Sequence, residues 1–251
     1  MSKRALDLAA LLLGLALTSA SSAREAAPAP PAEELSKILR SVDRLRAPVA
    51  EGRMRVGVTL VAGGTVAPEI PFAVEFSRTG ARRVETLGGP RKGQRVLLTD
   101  DAYWLYMPGT ASPIRLTPLQ RMLGQASFGD IGRLRFAEDY RVQQVRRPEP
   151  GQIQLRLTAR DQASAYRDVE LTVDSANHHP LRAVFLYPSG KIFKTVYFGK
   201  PVSIDGYLQI QELRFVDPND STRYSLIRYT KLQPAELPAN LFTPAALRAQ
   251  P

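Results

Sequence analysis

A mainly β fold with minor α content, a strongly curved antiparallel sheet preceded by one helix, is what this 251-residue chain predicts. Apolar residues alternate at a period of two along most of the chain beyond residue 50, and Gly- and Pro-containing turn signals separate the alternating runs. A single stretch ahead of them spaces its apolar residues at three and four instead.

The chain opens with Lys3 and Arg4, an apolar run from Leu6 to Leu17 broken by Asp7, and the small residues "TSASSA". This is the layout of a secretory signal peptide over 1–23, with cleavage after Ala20 or Ala23. The run falls short of the ~20 apolar residues that a membrane span needs. Residues 24–32 read as a Pro/Ala tether and 33–251 as one domain, a length at which all-β folds often stay undivided. The sequence contains no cysteine, so disulfides, thiolate metal sites and lipid attachment through a thiol are excluded. The mature protein is therefore expected to be exported, soluble, periplasmic and monomeric.

"EELSKILRSVDRL" places Leu35, Ile38, Leu39, Val42 and Leu45 on one stripe of an amphipathic helix from Glu33 to Leu45, and Pro48 ends it. The period then becomes two. Met54, Val56, Val58 and Leu60 share one face of a strand, and Phe72, Val74 and Phe76 repeat the pattern. "IQLRLTA", "VELTV" and "YSLIRYTKL" read in the same way. Turns are signalled at Gly63-Gly64, Gly88-Gly89-Pro90, Pro188-Ser-Gly190 and Asp217-Pro-Asn219, giving ten or eleven strands with hairpin connections. "LRAVFLYP" and "KIFKTVYFGK" are apolar on both faces and call for a cover on the second side. "TPLQRMLGQASF" supplies a candidate helix, with Thr117 as cap and Pro118 in the first turn.

A net charge of +10 favours acidic partners, and export argues against nucleic acid as one of them. The sequence offers little catalytic machinery. Its two histidines, His178 and His179, are adjacent before a proline and point opposite ways on an extended chain, which suits a turn. Asp100 and Asp101 read as solvated turn residues, and "DPNDST" lacks the glycine and glutamate of a calcium loop. No serine sits in an activating motif, and no glycine-rich phosphate loop is present. The chain is expected to be no enzyme and to use neither metal nor cofactor.

The only tryptophan stands in "TDDAYWLYMPGTASPIRL", where alternation sets Tyr103, Leu105 and Met107 against Ala102, Trp104 and Tyr106. Trp104 either fills an ordinary core or lines an apolar cavity, with Met107 and Met122 suited to an adaptable lining. The cavity reading places Val56, Val58, Phe72, Val74, Phe76, Trp104, Tyr106, Leu119, Met122, Leu123 and Phe128 along its wall and lid.

Four stretches in order give the chain a likeness to a known family. "AYWLYMPGTASPIRL", "FGDIGRLRFAEDYRV", "VDSANHHPLRAVFLYPSGKIFKTVYFGKPVSIDGYLQIQELRF" and "LPANLFTPAAL" resemble the LolA-like outer-membrane lipoprotein-sorting proteins from about Leu39 to Leu247. The resemblance implies an incomplete antiparallel β-barrel of about eleven strands with helices over its open side. It also implies a periplasmic carrier that binds lipid or lipoprotein acyl chains, receives them from an inner-membrane transporter and passes them toward an outer-membrane acceptor. The best-known carrier has an arginine that latches its lid helices, and the resemblance does not assign that role to any one of this chain's many arginines. The alternative reading is a non-enzymatic protein-binding or sensor module whose barrel is simply a packed core.

Overall fold

The computed structural model describes residues 30–99, 102–116, 121–127, 135–161 and 166–248. The expected signal peptide, Asp100, Asp101, Leu119 and Phe128 lie outside these residues.

Helix α1 spans Ala32–Arg46, within a residue of the stretch that its apolar spacing predicts at each end. Glu33 and Glu34 occupy its first turn and Arg44 and Arg46 its last, so charge opposes the helix dipole at both ends. Ile38, Leu39, Val42 and Leu45 form the buried stripe.

The sheet begins with β1 (Gly52–Ala62), which pairs with the short β2 (Thr65–Val66) and with β3 (Ile70–Phe76). It continues through β4 (Arg82–Thr86), β5 (Arg95–Leu98), β6 (Tyr103–Tyr106) and β7 (Ile114–Leu116). Next come a separate hairpin, β8 (Arg121–Leu123) with β9 (Ala126–Ser127), and a one-turn helix α2 (Phe136–Asp139). A second meander follows: β10 (Tyr140–Arg146), β11 (Gln152–Ala159), β12 (Asp168–Asp174), β13 (Pro180–Leu186) and β14 (Ile192–Phe198). The hairpin of β15 (Pro201–Ile204) and β16 (Tyr207–Ile210) leaves the sheet, and β17 (Glu212–Asp217) rejoins it beside β14. Finally β18 (Asp220–Pro234) pairs with β1 from Gly52↔Pro234 to Val61↔Tyr224 and joins the two meanders.

The result is a fourteen-stranded antiparallel sheet with β10 at one edge and β7 at the other, an open and curved half-barrel. One face of the meanders and the stripe of α1 form a single apolar core. The strand count exceeds eleven because β2, β5 and β7 have four residues or fewer, too short to display a period.

Two expectations are corrected. The stretch expected as a lid helix holds the β8–β9 hairpin over residues 121–127. Gly124 turns the chain there with φ +55°, a left-handed conformation that a continuing helix does not use. Residues 117–120 lie outside the described chain, as do the side chains of Met122 and Leu123. Nor, among the described residues, does a helix cover the second face of β14. Tyr197 is 39% exposed there, and the Arg214 guanidinium stacks 5.1 Å from its ring centroid. A cation over an aromatic face lets that surface stay wet without a further layer.

Candidate functional site

Residues paired directly across antiparallel strands share a face, so the register defines the inner wall. One row runs Val74, Val84, Val96, Leu105 and Ile114 from β3 to β7. The next runs Phe76, Arg82, Leu98, Tyr103 and Leu116. Val56 pairs with Phe72, and Val58 sits between Ile70 and Ile227. Val56, Val58, Phe72, Val74 and Phe76 are all buried on this wall, as their spacing predicts.

Trp104 and Tyr106 are not on it. Trp104 pairs with Leu97, and Leu97 with Arg83, while Tyr106 pairs with Arg95. Both aromatics therefore face outward, in the rows that carry Glu75 and Glu85, and Tyr103 and Leu105 take the inner positions. The alternation within β6 is as read from the sequence; its phase relative to β3 is the reverse. Two intervening strands of unknown register separate them in the sequence, and a one-residue shift in either exchanges the faces. The chain end covers part of this outer face: Leu247 is buried, and its carbonyl accepts from Arg95 Nη1 at 3.0 Å.

In the second meander the wall continues through Leu157, Val169 and Phe185 and then meets a cation, Lys194. Lys194 is 2% exposed and donates from Nζ to the Tyr166 hydroxyl at 2.6 Å. The rings of Tyr166, Phe185, Phe193 and Phe215 lie 4.6–5.5 Å from the ammonium, a cation–π surround that offsets its lost hydration.

At the Met54 end of the wall, α1, the turn after β3 and α2 line a cavity of about 570 Å³ that is open to solvent. Helix α1 supplies Lys37, Arg40, Asp43, Arg44 and Arg46; Arg78, Arg82, Arg135 and Glu138 complete its charged lining. Seven cations thus face two carboxylates over an apolar floor of Val49, Met54 and Phe76. Both carboxylates are engaged. Asp43 accepts the backbone N–H of Phe136 and of Ala137, each at 2.9 Å, and Glu138 pairs with Arg135. Burial raises the pKa of Asp43 above its ordinary value, against the opposing influence of Arg46 and the two amides. Burial also lowers the Arg82 pKa to about 10, with the Arg46 and Arg135 charges acting in the same direction.

A second depression, of about 350 Å³, lies on the outer face among Arg53, Glu75, Arg83, Glu85 and Lys231. Arg55 lines it as well, so four cations meet two carboxylates, and both carboxylates are paired: Glu75 with Arg53 at 3.2 Å and with Arg83 at 2.6 Å, and Glu85 with Arg95 at 3.5 Å. His178 and His179 lie in the turn between β12 and β13, where the Asn177 side chain accepts the His179 amide. Sequence reasoning missed Arg82 and Lys194. The available signal was their phase, since Arg82 is two residues from inward Val84 and Lys194 two from inward Val196.

A protein-family model described as "Uncharacterized protein" matches residues 88–249. No curated protein matches the chain. Among solved structures, a LolA superfamily protein from Nitrosomonas europaea superposes with a TM-score of 0.75 at 26% identity, covering 87% of this chain and 100% of its own. A DUF1329 family protein from Desulfovibrio piger gives a TM-score of 0.69 at 18% identity, over 88% of this chain and 100% of its own. A domain from Vibrio parahaemolyticus described as a putative outer membrane lipoprotein-sorting protein gives 0.68 at 16%, over 87% and 100%. The fold is LolA-like.

Proposed function

Because this chain belongs to the family matched over residues 88–249 and folds as a LolA-like half-barrel, we propose that it carries lipid or lipoprotein acyl chains and is not an enzyme. The observation behind this reading is the inner wall. Apolar side chains line it from β3 to β7, interrupted by Arg82 on β4, the sheet stays open between β7 and β10, and a separate amphipathic helix lies in the same core. Burying an acyl chain is worth about 0.8 kcal/mol per methylene, so some fourteen methylenes give on the order of 10 kcal/mol. Release then needs a partner that binds the chain better or displaces the cover. A helix of fifteen residues has little stability by itself and suits that role.

In this reading residues 1–23 export the protein to the periplasm, 24–32 tether it and 33–251 form the carrier domain. An inner-membrane transporter is the donor and an outer-membrane protein the acceptor. Val56, Val58, Phe72, Val74 and Phe76 contact the acyl chain, with Leu119, Met122, Leu123 and Phe128 on the covering segment. Trp104 and Tyr106 are withdrawn from this set by their outward phase.

A second reading, a protein-binding or sensor module, has one observation in its favour: Ile38 and Val42 of α1 are fully buried and already occupy the core. Native mass spectrometry of the protein purified from its own periplasm, with organic extraction, separates the two. A co-purifying acylated molecule supports the carrier. A clean apo mass with no uptake of a fluorescent fatty acyl probe removes it and leaves the binding module.

A further inference from the structure

Arg82 and Arg83 are consecutive on β4, yet they are paired differently. Arg83 faces outward and binds Glu75 at 2.6 Å. Arg82 faces inward, in register with Phe76 and Leu98, and its guanidinium lies 5.5 Å from the Phe76 ring centroid. Its Nε is buried without a hydrogen-bond partner, and among the described residues no carboxylate pairs with it. After burial, the Tyr229 hydroxyl bears on it favourably, and the guanidiniums of Arg46 and Arg135 repel it. The two carboxylates in the same cavity are already taken, Asp43 by backbone amides and Glu138 by Arg135. An unneutralised charge at the edge of an apolar core is costly, and an anion bound from outside removes that cost.

The chemistry of the surroundings narrows the anion. Guanidiniums match oxyanions that offer several acceptor oxygens, phosphate esters above all. The floor beneath Arg82 is apolar, made by Val49, Met54 and Phe76, and it continues into the inner wall. A free inorganic ion would leave that floor unused, whereas an amphiphile covers it. We propose that this cavity holds the phosphate headgroup of an acidic phospholipid, with Arg82 as the inner ligand and the acyl chains directed along the wall. The proposal rests on the carrier reading and specifies its cargo class.

The test is calorimetric titration of the purified protein with dihexanoyl phosphatidic acid, dihexanoyl phosphatidylcholine and inorganic phosphate, each below its aggregation concentration. The expected result is that phosphatidic acid binds about tenfold or more tightly than phosphatidylcholine, as one charge-assisted hydrogen bond is worth. Arg82→Gln removes this preference and leaves phosphatidylcholine binding within about twofold. Arg82→Lys, with the charge but not the planar fork, retains part of it. Should Arg82→Gln not fold, the wild-type preference and its partial loss in Arg82→Lys decide the matter. Equal affinity for the two lipids overturns the headgroup site and leaves acyl carriage standing. Inorganic phosphate binding as tightly as phosphatidic acid overturns the lipid source, since the site then serves a free anion. No binding of either lipid overturns this proposal and the carrier reading together.

Discussion

Asp43 and Phe136 meet across 93 residues of sequence: the Asp43 carboxylate accepts the Phe136 backbone N–H at 2.9 Å. The same carboxylate takes the Ala137 amide, and Arg46, one turn further along α1, lies 5.3 Å over the Phe136 ring. Asp43 thus caps α2 from another helix, which ties the cover of the half-barrel to the strand β10 that follows. Orphan amides at a helix start need an acceptor, and α2 has no cap from its own preceding residue.

Removing this cap loosens α1 from α2. Asp43→Ala is expected to lower stability by about 1–2 kcal/mol, the usual worth of a cap. Hydrogen exchange at Phe136 and Ala137 should accelerate, while amides in the middle of β11 and β12 keep their protection relative to global unfolding. Unchanged exchange at 136 and 137 would falsify the latch.

The pH dependence has a defined sign. The Asp43 carboxyl has a folded pKa raised above 3.8, so the folded state holds its proton more tightly than the unfolded state does. Its contribution is fully present below pH 3.8 and is lost as pH rises through the folded value. Asp43→Asn lacks this titration. The stability difference between wild type and Asp43→Asn is therefore expected to favour wild type most at acid pH and to move against it as pH climbs. Denaturant melts across that range measure it, and a difference moving the other way contradicts the burial argument.

The β8–β9 hairpin meets the barrel at a glycine. A Cβ on Gly124 would stand 2.5 Å from Ser225 Oγ and 2.8 Å from Leu60 Cδ2, and Ser225 Oγ accepts the Gln125 amide there. Gly109 also has a positive φ but meets nothing within 4 Å. Both Ala substitutions pay the left-handed backbone penalty of about 1 kcal/mol, and Gly124→Ala should lose clearly more than Gly109→Ala. Equal thermal shifts in the two variants would mean that the hairpin does not dock as described.

Single cysteines can test the two faces, since the sequence has none of its own. Trp104→Cys, on the half-exposed outer face, is expected to react with a bulky thiol reagent many times faster than Val96→Cys on the buried inner wall. In denaturant the two should label alike. Trp104→Gln should leave acyl-probe affinity within about twofold, because an outward residue forms no part of the apolar contact.

Local pattern carried much of this fold. The spacing of Leu35, Ile38, Leu39, Val42 and Leu45 gave α1 almost to the residue, and the alternation through Val56, Val58, Phe72, Val74 and Phe76 gave one stretch of wall. Such signals are readable because helix and strand periodicity depend on near neighbours only. The short strands β2, β5 and β7 and the 121–127 hairpin left no comparable trace. "TPLQRMLGQASF" is compatible with a helix by its local pattern, and over the described residues 121–127 the hairpin turns at Gly124 against Leu60 and Ser225, the latter about a hundred residues away.

The sequence by itself determined the class of the molecule: a helix followed by an antiparallel sheet, a basic chain without cysteine, and a likeness to LolA-type proteins. Only the tertiary structure decided which residues face inward together. Trp104 and Val74 each alternate cleanly, yet their relative phase is set by the registers of β4 and β5 between them. Arg82 gained its significance in the same way, by sharing a row with Phe76 and a cavity with Arg46 and Arg135. Register and like-charge proximity are relations between distant segments, and a one-residue slip reverses them without altering the pattern of any single strand.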